Sequence, residues 1–219
     1  MNIETRKVPS HEVTYLRLRD MILYGQLAPG QPVTIQGLTQ NLGAGMTPVR
    51  EAIRRLATEG ALLPQGNRRV SVPRMTAADL DQIAFARLAI EPRLAQLAAQ
   101  HASPVLLGQL EELDIEVDRS VLAGDIPAYL TSNHAFHFAL YGAAGAGVLL
   151  DMAQSLWLRF GPSLRVVTQL SGRASLPDSH KAIITALRAG DGAGAGLAMT
   201  HDIEIGLAHV RDAIRANAL

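Results

Sequence analysis

The sequence predicts a mostly α-helical protein with two domains, residues 1–74 and residues 75–219. Ala, Leu and Gly dominate a composition that is 48% hydrophobic but only 4% aromatic, which favours helices over a β-sandwich. Apolar residues spaced three and four apart recur between helix-start and helix-stop residues. Charge also divides the chain: the first domain holds ten Lys and Arg against five Asp and Glu, and the second holds ten against fifteen. A basic first domain suits a polyanionic partner, although an imbalance of this size can also arise by chance.

Composition excludes several classes of protein. The chain has no cysteine, which excludes a disulfide scaffold and a thiolate zinc site, so any metal must be held by His, Asp, Glu or Asn. The longest uncharged apolar stretch, residues 138–150, is well short of the roughly 20 residues that span a bilayer. The N-terminal residues lack the apolar region of a signal peptide. We therefore expect a cytoplasmic protein with no membrane partner.

Three short helices are predicted in the first domain. The first runs from Glu12 to near Gly25, and the second follows Thr34. Thr47 is predicted as the N-cap of the third helix, with Pro48 at the first helical position. The inward face of this third helix carries four apolar residues, Val49, Ala52, Ile53 and Leu56.

The outer face of the third helix carries two arginines, Arg50 and Arg54, four residues apart. Two neighbouring guanidinium groups suit phosphates or guanine edges, although many solvated helices also carry two arginines. Residues 62–72 then predict a β-hairpin with a basic turn, which is a wing. Two helices joined by a Gly-containing turn, with the wing after them, predict a winged helix-turn-helix domain that binds double-stranded DNA.

The second domain is predicted to be an all-α antiparallel helical bundle. Its helices are predicted to begin at or near Thr76, Ser103, Asp125, Leu149, Leu176 and Asp191. The second of these helices carries an acidic stripe, for which we expect a solvated face: Glu111, Glu112, Asp114, Glu116 and Asp118.

Five of the seven histidines lie between residues 134 and 209. On the third helix of the bundle Asn133 and His137 are four residues apart, and His134 and His137 are three apart, so either pair can face one ligand from adjacent turns. Metal binding is one interpretation of this spacing, and ordinary core or surface histidines are the other.

Residues 46–60, MTPVREAIRRLATEG, closely resemble the T-P-V-R-E-A-L-x-R-L-x-x-E-G signature of the GntR family of bacterial transcription regulators. Upstream, GQLAPG at residues 25–30 resembles the family's G-x-L-x-P-G turn. The resemblance implies base contacts from Arg50 and phosphate or base-edge contacts from Thr47 and Arg54. It also implies that the wing turn enters the minor groove, with the four residues Gly66, Asn67, Arg68 and Arg69.

Two positions depart from the family pattern. Gly45 and Met46 stand where Ser-Arg is usual, which removes a common cationic contact, and Arg68-Arg69 stands where the wing usually has Arg-Gly. Operator sequence can therefore differ from that of relatives, or affinity can depend more on the wing.

Three further segments resemble the FadR-type, or FCD, ligand-binding domain: RLAIEP at 87–92, NHAFH at 133–137 and HKAIITALRAGD at 180–191. Many such domains hold a divalent metal through one Asp and three His, and a small carboxylate then caps the metal. The positions that correspond to the metal ligands are Asn133, His137, His180 and either Asp202 or His201. Zinc, nickel and manganese all remain open, since these ligand types do not select one of them.

The resemblance also identifies Arg87 as a clamp for the anionic effector, beside Asn133, His137 and His180. An ordinary salt bridge with Glu91, four residues on, is the alternative for Arg87. Together these patterns predict a homodimeric repressor whose operator binding responds to a small organic acid. Two alternatives are a metal-dependent enzyme that acts on a small carboxylate through the Asn/His/Asp site, and a regulator that has lost the metal. No H-E-x-x-H motif or paired nucleophile and base supports the enzyme.

Overall fold

The structure is a computed structural model that describes residues 10–171 and 179–217. Contacts between Cα atoms divide the chain into two compact units, Met1–Arg74 and Met75–Leu219. Within the described residues, none of the helices is both long and apolar enough to cross a lipid bilayer.

Over its described residues, the N-terminal unit combines three helices with a small antiparallel sheet. In chain order its elements are α1 (Ser10–Leu23), β1 (Val33–Thr34), α2 (Ile35–Leu42), α3 (Met46–Thr58), β2 (Leu63–Gln65) and β3 (Arg69–Ser71). Strands β2 and β3 form the predicted wing hairpin, with Gln65 opposite Arg69. The sequence did not predict β1, which adds to the other edge of β3. A strand of two residues leaves too little alternation to be recognised.

The start of α3 differs from the prediction. Gly45, in extended conformation, is the N-cap, and no side chain caps the helix. Thr47 is therefore the second helical residue and not the cap, and Pro48 is the third. Proline is tolerated there because the first four N–H groups of a helix have no intrahelical partner. The cap prediction was wrong because the Thr-Pro pair fits this register equally well.

The C-terminal unit is a bundle of six α-helices over its described residues. They are α4 (Ala77–Ala98), α5 (Pro104–Ala123), α6 (Ile126–Gly142), α7 (Gly147–Ser171), α8 (His180–Arg188) and α9 (Gly192–Arg215). Each of four predicted N-caps accepts a hydrogen bond from the backbone of its own helix: Thr76, Ser103, Asp125 and Asp191. The predicted helix start at Leu176 lies outside the described residues.

The packing of the bundle places polar side chains in its interior. Helix α4 packs against α6, α7 and α9, and α5 packs against α6 and α8. A continuous apolar core includes Leu94, Leu110, Phe136, Leu140 and Met199. The buried polar or charged side chains of this unit include Arg87, Glu91, Asp114, Asn133, His137 and His180. Burying polar groups costs free energy unless they have partners, so this interior cluster is a candidate functional site.

Candidate functional site

The outer face of α3 carries the arginines that the sequence predicted as DNA-binding. Thr47, Arg50 and Arg54 are exposed, while the apolar residues of the opposite face are buried. Arg50 and Arg54 line one surface depression together with Pro64 of the wing. An Nη2–Oε1 ion pair of 2.5 Å joins Arg54 to Glu51. Arg54 must therefore release or share Glu51 to contact a phosphate, whereas Arg50 forms no ion pair with another residue that the structure describes.

The wing turn, residues 66–69, is exposed over its whole length. Asn67 and Arg68 have φ angles of 59° and 58°, in the left-handed region that Asn tolerates and Arg rarely adopts. The backbone N–H of Ile35 donates to the carbonyl of Arg68 at 3.0 Å, so the first residue of α2 anchors the turn. The turn thereby presents two adjacent arginines, Arg68 and Arg69, to solvent. Basic side chains on α3 and on the wing give this unit a surface suited to phosphate backbones.

The second cluster lies inside the bundle. Ligand atoms of His137 (α6), His180 (α8) and Asp202 (α9) all lie within 4.8 Å of one another. Asn133, one turn before His137, lines the same cavity as His137 and Asp202. The structure thus brings Asp202 to the cluster, whereas His201 is exposed.

His134 does not share a ligand position with His137. Its ring stacks on Phe138 at a centroid distance of 4.2 Å and meets the edge of Trp157. Of the two spacings on α6, the structure therefore favours the pair Asn133 and His137 for a common ligand.

Hydrogen bonds fix which nitrogen of His137 faces the cluster. The Tyr141 hydroxyl donates to Oε2 of Glu91 at 2.6 Å, and a phenol has only one proton. Nδ1 of His137, 3.1 Å from that hydroxyl, must therefore carry the proton and donate it to Tyr141. In neutral His137 the lone pair then lies on Nε2, which is the nitrogen that a metal can bind.

That lone pair faces a carboxylate. Nε2 of His137 lies 3.3 Å from Oδ2 of Asp202. Burial lowers the pKa of His137 below its ordinary value, although the contact with Asp202 opposes the shift. Burial alone would raise the pKa of Asp202, but the neighbouring rings of His137 and His180 and the backbone N–H of Ser179 together hold it well below its usual range.

The contact with Tyr141 directs the Nε2 lone pair of neutral His137 towards the Asp202 carboxylate, so a proton or a cation between them is needed to join the two groups. Two ligand atoms on one tetrahedral zinc, each at about 2.0–2.1 Å, lie about 3.3 Å apart, which is the separation found here. A divalent cation between the two groups would satisfy both. The residues present thus fit a metal: two imidazoles, one carboxylate and one amide oxygen.

Arg87 occupies the cavity wall but is also paired. Its Nε and Nη2 donate to the two carboxylate oxygens of Glu91 at 2.6 and 3.0 Å, and both side chains are almost completely buried. The salt bridge that the sequence offered as the alternative for Arg87 is therefore present. Burial lowers the pKa of Arg87 and the Glu91 carboxylate raises it, with a net upward shift, so the guanidinium stays charged. Trp157 completes the set by donating Nε1–H to Glu91 at 3.1 Å.

One prediction about α5 was wrong. Asp114 does not belong to a solvated acidic face: only 5% of it is exposed, and Oδ1 lies 3.3 Å from Nδ1 of His180. The signal was available in the sequence, because Asp114 is four residues after Leu110 and three before Val117, on the face that these two residues bury. Sequence reasoning also missed Tyr141 and Trp157, whose roles depend on contacts between different helices.

A basic winged helix-turn-helix unit and a helical unit with a buried polar site define a DNA-binding transcription regulator. Comparison with known protein families identifies which kind of regulator it is. The FCD domain matches residues 73–204, and the gntR family of bacterial regulatory proteins matches residues 11–72. The chain belongs to the GntR family, in the FadR-type branch that carries an FCD domain.

Individual relatives agree with this assignment. The HTH-type transcriptional regulator McbR of Escherichia coli strain K12 is 29% identical over 180 residues, which is 81% of each chain. The HTH-type transcriptional repressors RspR and GlaR of the same strain are 26% and 25% identical, over 93% of this chain and 91% and 96% of theirs.

The fold agrees as well. A solved structure of E. coli McbR/YncC superposes with a TM-score of 0.88 at 26% identity, covering 94% of this chain and 98% of that one. Family and relatives are transcription regulators, so the protein is a regulator and not an enzyme.

Proposed function

We propose that this protein is a homodimeric repressor whose operator binding is controlled by a small carboxylate held at a divalent metal in the helical domain. The observation that carries the metal is the pairing of His137 and Asp202. Nε2 of His137 and the Asp202 carboxylate, 3.3 Å apart, need a proton or a cation between them, and a divalent ion in that place would have both groups as ligands.

The proposed ligands are Asn133, His137, His180 and Asp202. The amide oxygen of Asn133 is neutral, so the set carries one negative charge. When bound, a divalent ion supplies a Lewis-acidic centre at which an anionic ligand can coordinate. Zinc, nickel and manganese all suit two imidazoles with two oxygen ligands.

Charge explains why the effector would be a carboxylate. Arg87 and Glu91 cancel each other, which leaves Asp202 as the uncompensated charge beside the cavity. Without a metal this balance is negative and repels an anion. With a divalent ion it becomes +1 and attracts a monocarboxylate. The cavity volume of about 50 Å³ favours a small ligand. Arg87 lies in the cavity wall, and its bonds to Glu91 use Nε and Nη2 but not Nη1.

Separate observations support the dimer and repression. Helix-turn-helix proteins read two half-sites with two copies of one domain. Helix α5 exposes Ile115 and Leu122, seven residues apart on one face, which is the kind of apolar surface that a second copy can cover. Relatives of similar length, RspR and GlaR, are named repressors. A protein that binds operators in the chromosome acts in the cytoplasm, where a chain without cysteine is well suited.

The proposal is tested by DNA binding of the full chain to fragments that flank its own coding region, at low ionic strength. We expect salt-dependent binding by the metal-loaded dimer and weaker binding after addition of one member of a panel of small carboxylates. A coupling free energy of about 1–3 kcal/mol would lower DNA affinity about 5- to 150-fold.

Controls separate the parts of the proposal. His137→Ala should bind the same DNA and ignore the carboxylate, and a chelator should have the same effect on the unmodified protein. A response to carboxylate that is equal in metal-free and metal-loaded protein would favour sensing through Arg87 alone. Failure to bind any genomic fragment would overturn the role of the DNA-binding domain.

A further inference from the structure

Asp114 lies in the interior of the bundle without belonging to the ligand set. It is on α5, which contributes none of the proposed ligands, and it is 5% exposed. Its two oxygens have different neighbours: Oδ1 lies 3.3 Å from Nδ1 of His180, and Oδ2 lies 3.1 Å from Nζ of Lys181. A buried carboxylate is costly unless its charge is offset. The contact of Oδ1 with His180 does not have hydrogen-bond geometry, so the offset is electrostatic and comes from the nearby imidazole and ammonium groups.

Packing alone does not determine which edge of His180 faces the cluster. The ring is completely buried and stacks on Phe136, with centroids 3.8 Å apart and planes at 19°. Stacking fixes the plane of the ring, but a rotation of 180° about Cβ–Cγ keeps the plane and moves both nitrogens. A polar partner at one edge is needed to select between these two orientations.

Asp114 supplies that partner. A carboxylate beside Nδ1 favours the tautomer with the proton on Nδ1, which leaves the Nε2 lone pair for a metal.

We propose that Asp114 is a positioning residue of the metal centre, which orients His180 so that Nε2 faces His137 and Asp202. The proposal rests on the proposed metal site. It gives His180 a counterpart of what Tyr141 gives His137, because each Nδ1 lies beside an oxygen outside the ligand set, 3.3 Å from Asp114 and 3.1 Å from Tyr141. Helix α5 thereby takes part in the centre through an acidic residue that touches neither metal nor effector.

Lys181 links the buried Asp114 to the exposed part of α5. Its Nζ also lies 2.9 Å from Oδ2 of Asp118, one turn further along α5, and 63% of the lysine side chain is exposed. Asp118 is itself half exposed and forms only the outer part of this network. Exposed ion pairs contribute little, so Asp118 provides a control with the same change of charge on the same helix.

The experiment compares Asp114→Asn with Asp118→Asn in the full chain. The affinity for Zn²⁺ is measured by competition with a chelating indicator, and the fold is checked by circular dichroism. We expect a loss of affinity of about 10- to 100-fold for Asp114→Asn and less than about twofold for Asp118→Asn. Equal affinities of Asp114→Asn and the unmodified protein would overturn the proposal.

A second readout needs neither metal nor variant. Nitrogen-15 NMR of the metal-free protein reports which ring nitrogen of His180 carries the proton, and we expect Nδ1, with the preference reduced in Asp114→Asn. A proton on Nε2 of His180 in the unmodified protein would overturn the proposal even if Asp114→Asn does not fold. If the protein binds no metal but His180 has the expected tautomer, the proposed metal site fails while the orienting contact stands.

Discussion

Tyr141 joins His137 to Glu91 through a single hydroxyl group, accepting from Nδ1 at 3.1 Å and donating to Oε2 at 2.6 Å. Because Glu91 also accepts two hydrogen bonds from Arg87, one chain of hydrogen bonds runs from the cavity arginine to the imidazole. The two groups that would meet an anionic effector and a metal are thus held by the same carboxylate.

Replacing Tyr141 with Phe should weaken metal binding. The ring volume is kept, but Nδ1–H of His137 loses its acceptor, so the tautomer and the orientation of the imidazole are no longer fixed. We expect the affinity for Zn²⁺ to fall about 10- to 100-fold, measured by competition with a chelating indicator. Tyr129→Phe, on the same helix and at the same cavity, is the control. An affinity equal to that of the control would show that Tyr141 does not position His137.

Metal should also stabilise the helical domain. A ligand that binds only the native state stabilises it by RT ln(1 + [L]/Kd), or about 2.7 kcal/mol at a hundredfold excess over Kd. Thermal unfolding can be followed by the fluorescence of Trp157, the only tryptophan, whose ring lies 4.9 Å from that of His137. We expect Zn²⁺ to raise the midpoint in the unmodified protein and to leave it unchanged in His137→Ala. The same rise in both proteins would remove His137 from the site.

Much of this architecture could be predicted from local signals. Four of the bundle's N-caps, the wing hairpin and the inward face of α3 depend on residues a few positions apart, and the structure has them as expected. The cap of α3 could not be fixed, because Thr47-Pro48 fits two registers of the helix start.

The buried network was less accessible to sequence reasoning. Glu91 accepts hydrogen bonds from Tyr141 and Trp157, which lie 50 and 66 positions further along the chain. No local sequence pattern predicts contacts of this kind. Asp114 is the exception, since its helical spacing from Leu110 was visible and the general preference of carboxylates for solvent outweighed it.

Glu91→Gln should destabilise the helical domain strongly. The amide cannot neutralise Arg87, which would remain charged and almost fully buried, and breaking a buried pair in this way costs about 3–5 kcal/mol. The measurement is the free energy of unfolding in urea, followed by circular dichroism and by Trp157. Glu116→Gln breaks an exposed pair with Arg119 and should cost no more than about 1 kcal/mol. Similar losses for the two variants would contradict the structural role of the Glu91 network.

Arg50→Ala should remove specific operator binding while leaving the fold intact, because Arg50 is exposed on a helix whose opposite face forms the core. A lost bidentate base contact costs about 1–3 kcal/mol, or roughly 5- to 150-fold in affinity. Selection of bound sequences from random DNA measures the effect together with the base preference. Arg93→Ala removes an exposed arginine of the helical domain, which pairs with Gln96, and should leave binding unchanged. An unaltered base preference in Arg50→Ala would assign sequence reading to other residues.

Arg68→Gly should lower the affinity for DNA and raise the stability of the N-terminal domain. Arg68 has a φ of 58°, where a side chain with a Cβ atom costs about 1–2 kcal/mol and glycine does not, so relief of this strain should stabilise the N-terminal domain. The same change removes a cation from the wing, and loss of one phosphate contact should reduce the slope of log affinity against log salt by about one. Arg68→Gln separates the two effects because it removes the charge and keeps the strained backbone. We expect both variants to lose the same salt dependence and only Arg68→Gly to gain stability, measured by anisotropy titrations over a salt series and by thermal unfolding. If Arg68→Gly keeps the full salt dependence, the wing turn does not contact phosphate, and the family pattern of DNA binding does not extend to this position.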